Sequence, residues 1–277
     1  MKRERREFNT ILIYILALVG ATISVFPFYW MFTASTLTES EIFKIPPNLI
    51  PSSHFMDNLD QLQNAWPIWR ALFNSVFVSG ITTVSTVFFS ALAGFAFAKY
   101  EFKGRELLFF VVLLVMMVPT QVMLVPMFII MMNFDWIDTY YALIVPFLVT
   151  PFGVFLMRQQ MMGLPTELIE AARIDGCQDI GIFFKIVLPI MKPACAALGI
   201  VTFMQQWGNF IWPLVVVNSK EMYTLPLMLA MMVQPGQVVQ YGPIMVGAVL
   251  GLIPMLCIFL IFQKHFISGI FSGSLKG

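Results

Sequence analysis

The chain has 277 residues, 59% of them hydrophobic and 11% charged, with a net charge of +1. Ordinary soluble domains carry about 25% charged residues, so a water-soluble globule of this length is excluded, as is a disordered tail. No polybasic stretch follows the first six residues, which leaves no electrostatic footprint for nucleic acid; the expected solvent is lipid.

A membrane-spanning helix needs about 20 predominantly apolar residues. Six stretches free of Asp, Glu, Lys and Arg qualify, at 9–34, 71–98, 107–132, 140–157, 194–217 and 242–263. The prediction is an all-α polytopic membrane protein with six transmembrane helices, one domain over 1–277. Before the first span, Lys2, Arg3, Arg5 and Arg6 imitate the start of a secretory signal. The apolar run continues through Pro27, Tyr29, Trp30 and Phe32 without a small-residue cleavage site, so a retained anchor is expected. Outside that anchor, residues 35–70 carry Pro46, Pro47 and Pro51 and read as an extended surface segment.

Later spans contain proline, which removes a backbone hydrogen bond and bends a helix. Pro119 and Pro126 lie in the third, Pro146 and Pro151 in the fourth, Pro213 in the fifth and Pro254 in the sixth. Between the last two spans, Tyr223–Met232 is too short to cross and reads as a surface helix. The Pro235-Gly236 pair after it signals a turn, so Gln234, Pro235, Gly236 and Gln237 form a projecting tip.

Lys and Arg at 2, 3, 5, 6, 99, 103, 105, 158, 173, 185, 192, 264 and 276 fall on one side of this topology; only Lys44, Arg70 and Lys220 fall on the other. Acidic residues divide almost evenly, so the asymmetry is a basic-residue bias, which places both termini in the cytoplasm. Cys177, Cys195 and Cys257 are widely spaced, and His54 and His265 lack nearby ligand partners; no metal site is expected.

The cytoplasmic segment from Gly163 to Pro189 is the most informative. Pro165 suits the first turn of a helix, Glu167 and Glu170 its positive end, and Gly176 the left-handed turn that closes it. Ile180, Phe183, Phe184 and Val187 then recur at helical spacing as the apolar face of a second short helix, which Pro189 stops. Ala171 and Ala172 permit close backbone approach, and Glu170, Arg173 and Asp175 supply charges for pairing. On physical grounds alone this is a protein-docking element or a re-entrant loop.

Glu170, Ala171, Ala172, Gly176, Ile186, Leu188 and Pro189 stand at offsets that resemble the EAA signature of permease subunits in bacterial ATP-binding-cassette importers, with no departure from the pattern. The stretch Thr33 to Phe43, the cluster Trp207-Gly208-Asn209-Phe210-Ile211-Trp212-Pro213 and the C-terminal Ser-Gly-Ser-Leu-Lys-Gly are similar to the carbohydrate-uptake branch, the second maltose-type permease. The resemblance implies a type I importer transmembrane domain, with a peripheral first helix at 9–34, a core bundle at about 70–264 and coupling helices at about 164–189. It implies a second permease subunit as heterodimer partner, an ATPase subunit dimer that binds ATP and Mg, and an extracytoplasmic solute-binding protein. The seven EAA residues are then the ATPase-coupling site, and Gln234 to Gln237 a candidate contact for the binding protein. No Gly-x-x-x-x-Gly-Lys-Ser/Thr occurs, so no cofactor is expected in this chain and no enzymatic activity is assigned to it.

Uncharged spans disfavour a proton relay and, for the cargo, a phosphate or amino acid, which would recruit Arg or Lys. The polar residues available are Asn74, Ser75, Ser79, Thr82, Thr83, Ser85, Thr120, Gln121, Gln205, Gln206 and Asn209. Amides and hydroxyls suit sugar hydroxyls, and Trp207 or Trp212 suits a pyranose face. The expected pathway residues are Asn74, Gln121, Gln205, Trp207, Asn209 and Trp212, and the expected cargo a neutral oligosaccharide. Glycerol phosphate or a polyol remains the alternative within the family, and a stand-alone secondary carrier the alternative outside it.

Overall fold

The computed structural model describes residues 2–234 and 239–271. Its secondary structure is helical, with no strand among the described residues. In chain order the helices are α1 (Lys2–Ser35), α2 (Glu39–Ile42), α3 (Phe55–Ala65), α4 (Ile68–Lys99), α5 (Arg105–Met116), α6 (Leu124–Asn133), α7 (Tyr140–Ile144) and α8 (Pro151–Met162). They continue as α9 (Glu167–Ile174), α10 (Asp179–Ile182), α11 (Leu188–Ile190), α12 (Lys192–Trp207), α13 (Ile211–Val216), α14 (Leu225–Met231) and α15 (Tyr241–Phe271).

Four segments are long and apolar enough to cross a bilayer as they stand: Thr10–Ser35, Ile68–Lys99, Tyr140–Met162 and Tyr241–Ile261. Two more qualify as bent pairs, α5 with Thr120–Asn133 at 95°, and Asp179–Ile190 with α12 at 78°. The count reaches six only when each pair is one span; the third is bent as its prolines predicted, and the second pair takes in Asp179–Ile190, which precedes the predicted fifth span. The third breaks where Pro119, extended at φ −60° and ψ 132°, offers no amide proton to the preceding turn. Predicted as 194–217, the fifth is instead α12 followed by α13. Between them, Asn209 accepts the Trp212 amide through its side chain at 3.4 Å. Within the fourth, a 3₁₀ turn over Val145–Phe147 precedes α8, whose first turn holds Pro151 while Thr150 Oγ1 accepts from Gly153 N at 3.1 Å. Pro254 lies inside α15, which runs on through it.

The chain divides into two compact units, Met1–Ile68 with Leu229–Leu252, and Trp69–Met228 with Ile253–Gly277. In the first, the segment expected to be extended contains α2 and α3, and its longest irregular stretch lies between them. The Thr33–Phe43 stretch is its joint. Thr33, Ala34, Ser35, Thr36 and Leu37 are buried, and Asn58 Nδ2 donates to the carbonyls of Ser35 and Leu37, each at 2.9 Å. Glu39 Oε2 accepts the Tyr241 amide at 3.0 Å, giving the opening turn of α15 the acceptor its free N–H groups require. A Cβ on Gly242 would lie 2.6 Å from Asn58 Oδ1, so only glycine fits there.

In the second unit, α4 lies against α8 with almost no side chain between them: a Cβ on Gly94 would come within 2.7 Å of Met157 Cβ and 2.8 Å of Arg158 N. Thr86 Oγ1 donates to Phe147 O at 2.7 Å on the same face. Trp212 Nε1 donates to Ala142 O at 2.9 Å and fastens α13 to α7. Arg158, at the end of α8, sets its guanidinium 3.8 Å from the Phe109 ring centroid and donates to Phe97 O at 3.4 Å, joining α8 to both α5 and α4.

Candidate functional site

The segment 163–191 folds as a helix, a tight bend and a second helix, as its sequence predicted. Glu167 and Glu170 occupy the first turn of α9, while Pro165 lies before it and Thr166 takes the capping position. At its end Gly176 has φ +81°. The Gly176 amide donates to Arg173 O at 3.0 Å and the Cys177 amide to Ala172 O at 2.9 Å, the paired bonds of a Schellman turn.

The second helix departs from its predicted face. Ile182, Phe183 and Val187 are buried, while Ile180 is 74% exposed and Phe184 points outward as well. The helix then widens into a π-helical turn over Phe183–Val187, in which the Leu188 amide reaches back to Phe183 O. One extra residue in the turn rotates the downstream side chains away from a 3.6-residue register. The same wide turn accommodates Pro189, which has no amide to donate, so the helix continues to Ile190 instead of stopping at the proline.

Burial divides the elbow into a root and a crest. Ile169, Ala172, Ile182, Phe183 and Val187 share an apolar core with Ala91 and Phe95 of α4 and Met157 and Met161 of α8. Ile186 and Leu188 pack partly against it. Glu170, Ala171, Gly176 and Pro189 face out, so the two alanines separate: Ala172 belongs to the root and only Ala171 offers a small-residue surface. The crest also carries Ile174, 86% exposed, with Ile180 across the bend. Sequence reasoning passed over Ile174 because an apolar residue in a short helix signals core; only its exposure marks it.

Charges brace the crest. Arg173 donates to Asp179 Oδ1 at 3.1 Å across the bend. Tyr100 first and Arg173 second hold the Asp179 carboxyl below its usual range, and Asp179 first, then Tyr100, raise the Arg173 guanidinium. Burial, more than the neighbouring Asp179, pushes the Tyr100 hydroxyl up.

The six residues expected along a pathway have different surroundings. Asn74 is fully buried and uses its whole amide: Nδ2 donates to Glu221 O at 2.8 Å and Tyr223 O at 2.9 Å, and Oδ1 accepts from Tyr140 Oη at 2.6 Å. Trp212 is 3% exposed and committed to Ala142. Trp207 is buried and stacks on Phe203 with centroids 5.7 Å apart. Asn209 is half-buried and caps α13, whereas Gln121 and Gln205 are exposed. Of the predicted tip, Gln234 is exposed; Pro235, Gly236 and Gln237 lie outside the described residues, as does the C-terminal stretch from Ser272. A cleft of about 630 Å³, which the sequence did not announce, is lined by Phe77, Asp138, Tyr140, Tyr141, Ile144 and Met222.

A bundle of apolar, partly broken helices with a small polar elbow rooted in its core and free at its crest defines a membrane transport subunit. Residues 87–272 match the family described as binding-protein-dependent transport system inner membrane component. The chain is 42% identical over 257 residues to the arabinooligosaccharides transport system permease protein AraQ of Bacillus subtilis (strain 168), covering 91% of each. It is 32% identical over 274 residues to the sn-glycerol-3-phosphate transport system permease protein UgpE of Escherichia coli (strain K12), covering 96% of this chain and 98% of that one. In a crystal structure of a bacterial ABC transporter involved in the import of the acidic polysaccharide alginate, one chain is similar with a TM-score of 0.81 and 20% identity, over 94% of this chain and 97% of that one. This chain belongs to the binding-protein-dependent transport system inner membrane component family: it is a multi-pass permease subunit of an ATP-binding-cassette importer.

Proposed function

We propose that this permease forms half of the translocation pathway for a neutral oligosaccharide and is driven by an ATPase subunit that grips the crest of the elbow. The observation that carries the reading is the division of residues 164–191 into a buried root and an exposed crest, with Ile174 and Ile180 flanking the left-handed turn at Gly176. Exposed isoleucines on a short polar elbow are a contact waiting for a partner. The remaining assembly follows the family: a second permease subunit, two ATPase subunits that hold ATP and Mg, and an external solute-binding protein. Both termini and the elbow lie on the cytoplasmic side of the bacterial plasma membrane, supported by the distribution of Lys and Arg. Alternating access then arises when ATPase closure moves the elbow.

For the cargo, support comes from the arabinooligosaccharide relative at 42% identity and from the six apolar stretches read in the sequence, which hold no Asp, Glu, Lys or Arg. A second reading, glycerol phosphate, is favoured by the relative at 32%. Arg158, near the end of the fourth span, is taken up by Phe109 and Phe97, and the apolar stretches supply no other Lys or Arg to hold an anion, which weighs against it. Uptake of labelled arabinooligosaccharide against labelled glycerol 3-phosphate, in cells expressing the whole transporter, decides between them.

Coupling is tested by Gly176→Val. Nothing lies within 4 Å of a Cβ at this position, so the substitution acts through the backbone, where φ +81° costs a β-branched residue about 1–3 kcal/mol. Uptake is expected to fall sharply while the chain still inserts at normal levels. Normal uptake at normal expression refutes the coupling role.

A further inference from the structure

The elbow is held at both ends by two consecutive residues from the end of one helix. At the entry to α9, Lys99 Nζ donates to Leu164 O and, at 3.3 Å, to Thr166 Oγ1. At its exit, the Arg173 guanidinium lies 5.3 Å from the Tyr100 ring centroid and donates across the bend to Asp179. Behind Tyr100 an aromatic column continues into α4: Phe95 meets Tyr100 at 5.2 Å, and Phe183 of the π turn meets Phe95 at 5.8 Å and Phe88 at 6.5 Å. Met157 and Met161 of α8 share the core under the root, but α8 offers the elbow no charged or aromatic clamp at either end, and its covalent path runs through the short irregular connector at 163–166. A packed contact transmits displacement better than a non-helical linker, because close-packed side chains have low compressibility.

We infer that Lys99 and Tyr100 are positioning residues forming a strut, through which a push on the elbow drives the long helix Ile68–Lys99. The strut rests on the reading that an ATPase docks on the elbow, and it names which helix carries the motion outward. It also explains why the crest charges are paired among themselves: Arg173 is engaged by Asp179 and Tyr100 together, so the bend and the strut behave as one piece.

The test uses the assembled transporter in nanodiscs, with Cys177, Cys195 and Cys257 replaced by alanine. One environment-sensitive fluorophore is attached at Glu167→Cys on the elbow or at Val84→Cys on α4, both exposed positions. ATP with vanadate is the probe. In the otherwise unaltered protein both labels are expected to shift. In Tyr100→Ala, and separately in Lys99→Met, the elbow shift should persist while the α4 shift drops about fivefold, the loss expected when one link of a coupling network is cut. Tyr100→Phe keeps the ring beneath Arg173 and should restore the α4 shift. An α4 shift that survives in both Tyr100→Ala and Lys99→Met overturns the strut while leaving docking intact. A loss in Tyr100→Phe equal to that in Tyr100→Ala also contradicts it. An elbow label that never responds in the unaltered transporter defeats the docking reading itself.

Discussion

Asn74 shows how a buried polar residue in a membrane helix ties elements together. Its amide satisfies the carbonyls of Glu221 and Tyr223 and accepts from Tyr140, so three elements meet on one side chain. Asn74→Ala strands those groups in a buried setting, at about 1–3 kcal/mol for each one left unpaired, and should lower the thermal unfolding midpoint of the solubilised protein by several degrees. Gln205→Ala, at an exposed position, should leave the midpoint unchanged; equal effects would contradict this assignment. Asp138 offers a comparison in charge. It adopts φ +61°, and its Oδ1 accepts the amides of Asn218 and Ser219, each at 3.0 Å. Partial burial works to raise its pKa, but the Ser219 and Asn218 amides outweigh it and hold the carboxyl below its ordinary value. A folded-state pKa below the unfolded one gives stability that is present at neutral pH and lost as pH falls through the folded value. Asp138→Asn, which tolerates the left-handed backbone, should therefore cost about 1 kcal/mol at pH 7 after allowance for solvent screening. That difference should vanish in acid below the carboxylate range; a pH-independent difference would count against the charge.

At the scale of elements, periodicity and turn chemistry were legible, and departures from ideal helix were not. The Schellman turn could be read from Gly176 because few residues other than glycine take φ +81° without strain. The π turn could not: nothing in Phe183 to Val187 distinguishes a wide turn from an ordinary one; and Ile180 and Phe184 lie exposed against expectation. Proline was informative where a helix ended or began beside it, as at Pro119 and Pro151, and misleading where a wide turn absorbed it, as at Pro189. The contact between α4 and α8 was equally hidden, since Gly94 looks like any other membrane glycine until Met157 and Arg158 are seen beside it. Gly94→Ala puts a methyl against backbone that cannot swing aside, and should cost about 1–3 kcal/mol. Denaturation of the solubilised protein would read that as an earlier transition, and an unchanged one would show that the two helices are not pressed together.

For the molecule as a whole, the sequence located six apolar stretches, and the structure gives four long segments and two bent pairs, the second of which includes Asp179–Ile190 of the elbow. The difference matters for function: a bundle with broken spans has irregular backbone at depth, which membranes tolerate only against protein or a wet cavity. Composition revealed the lipid environment and the EAA spacing revealed the elbow, because both are local properties of the chain. Which polar residues face a pathway depends on a partner surface that no single chain encodes, so Asn74 and Gln205 looked alike. The claim on which all of this depends is that the crest of the elbow is where an external motor is held. Its most direct measurement is isolation of this permease from its native membrane, with ATP hydrolysis assayed in the eluate, beside a variant carrying Ile174→Asp and Ile180→Asp. The account predicts that an ATP-hydrolysing subunit accompanies the unaltered chain and is lost from the variant, which still inserts in the membrane; retention of full ATPase activity by the variant would contradict it.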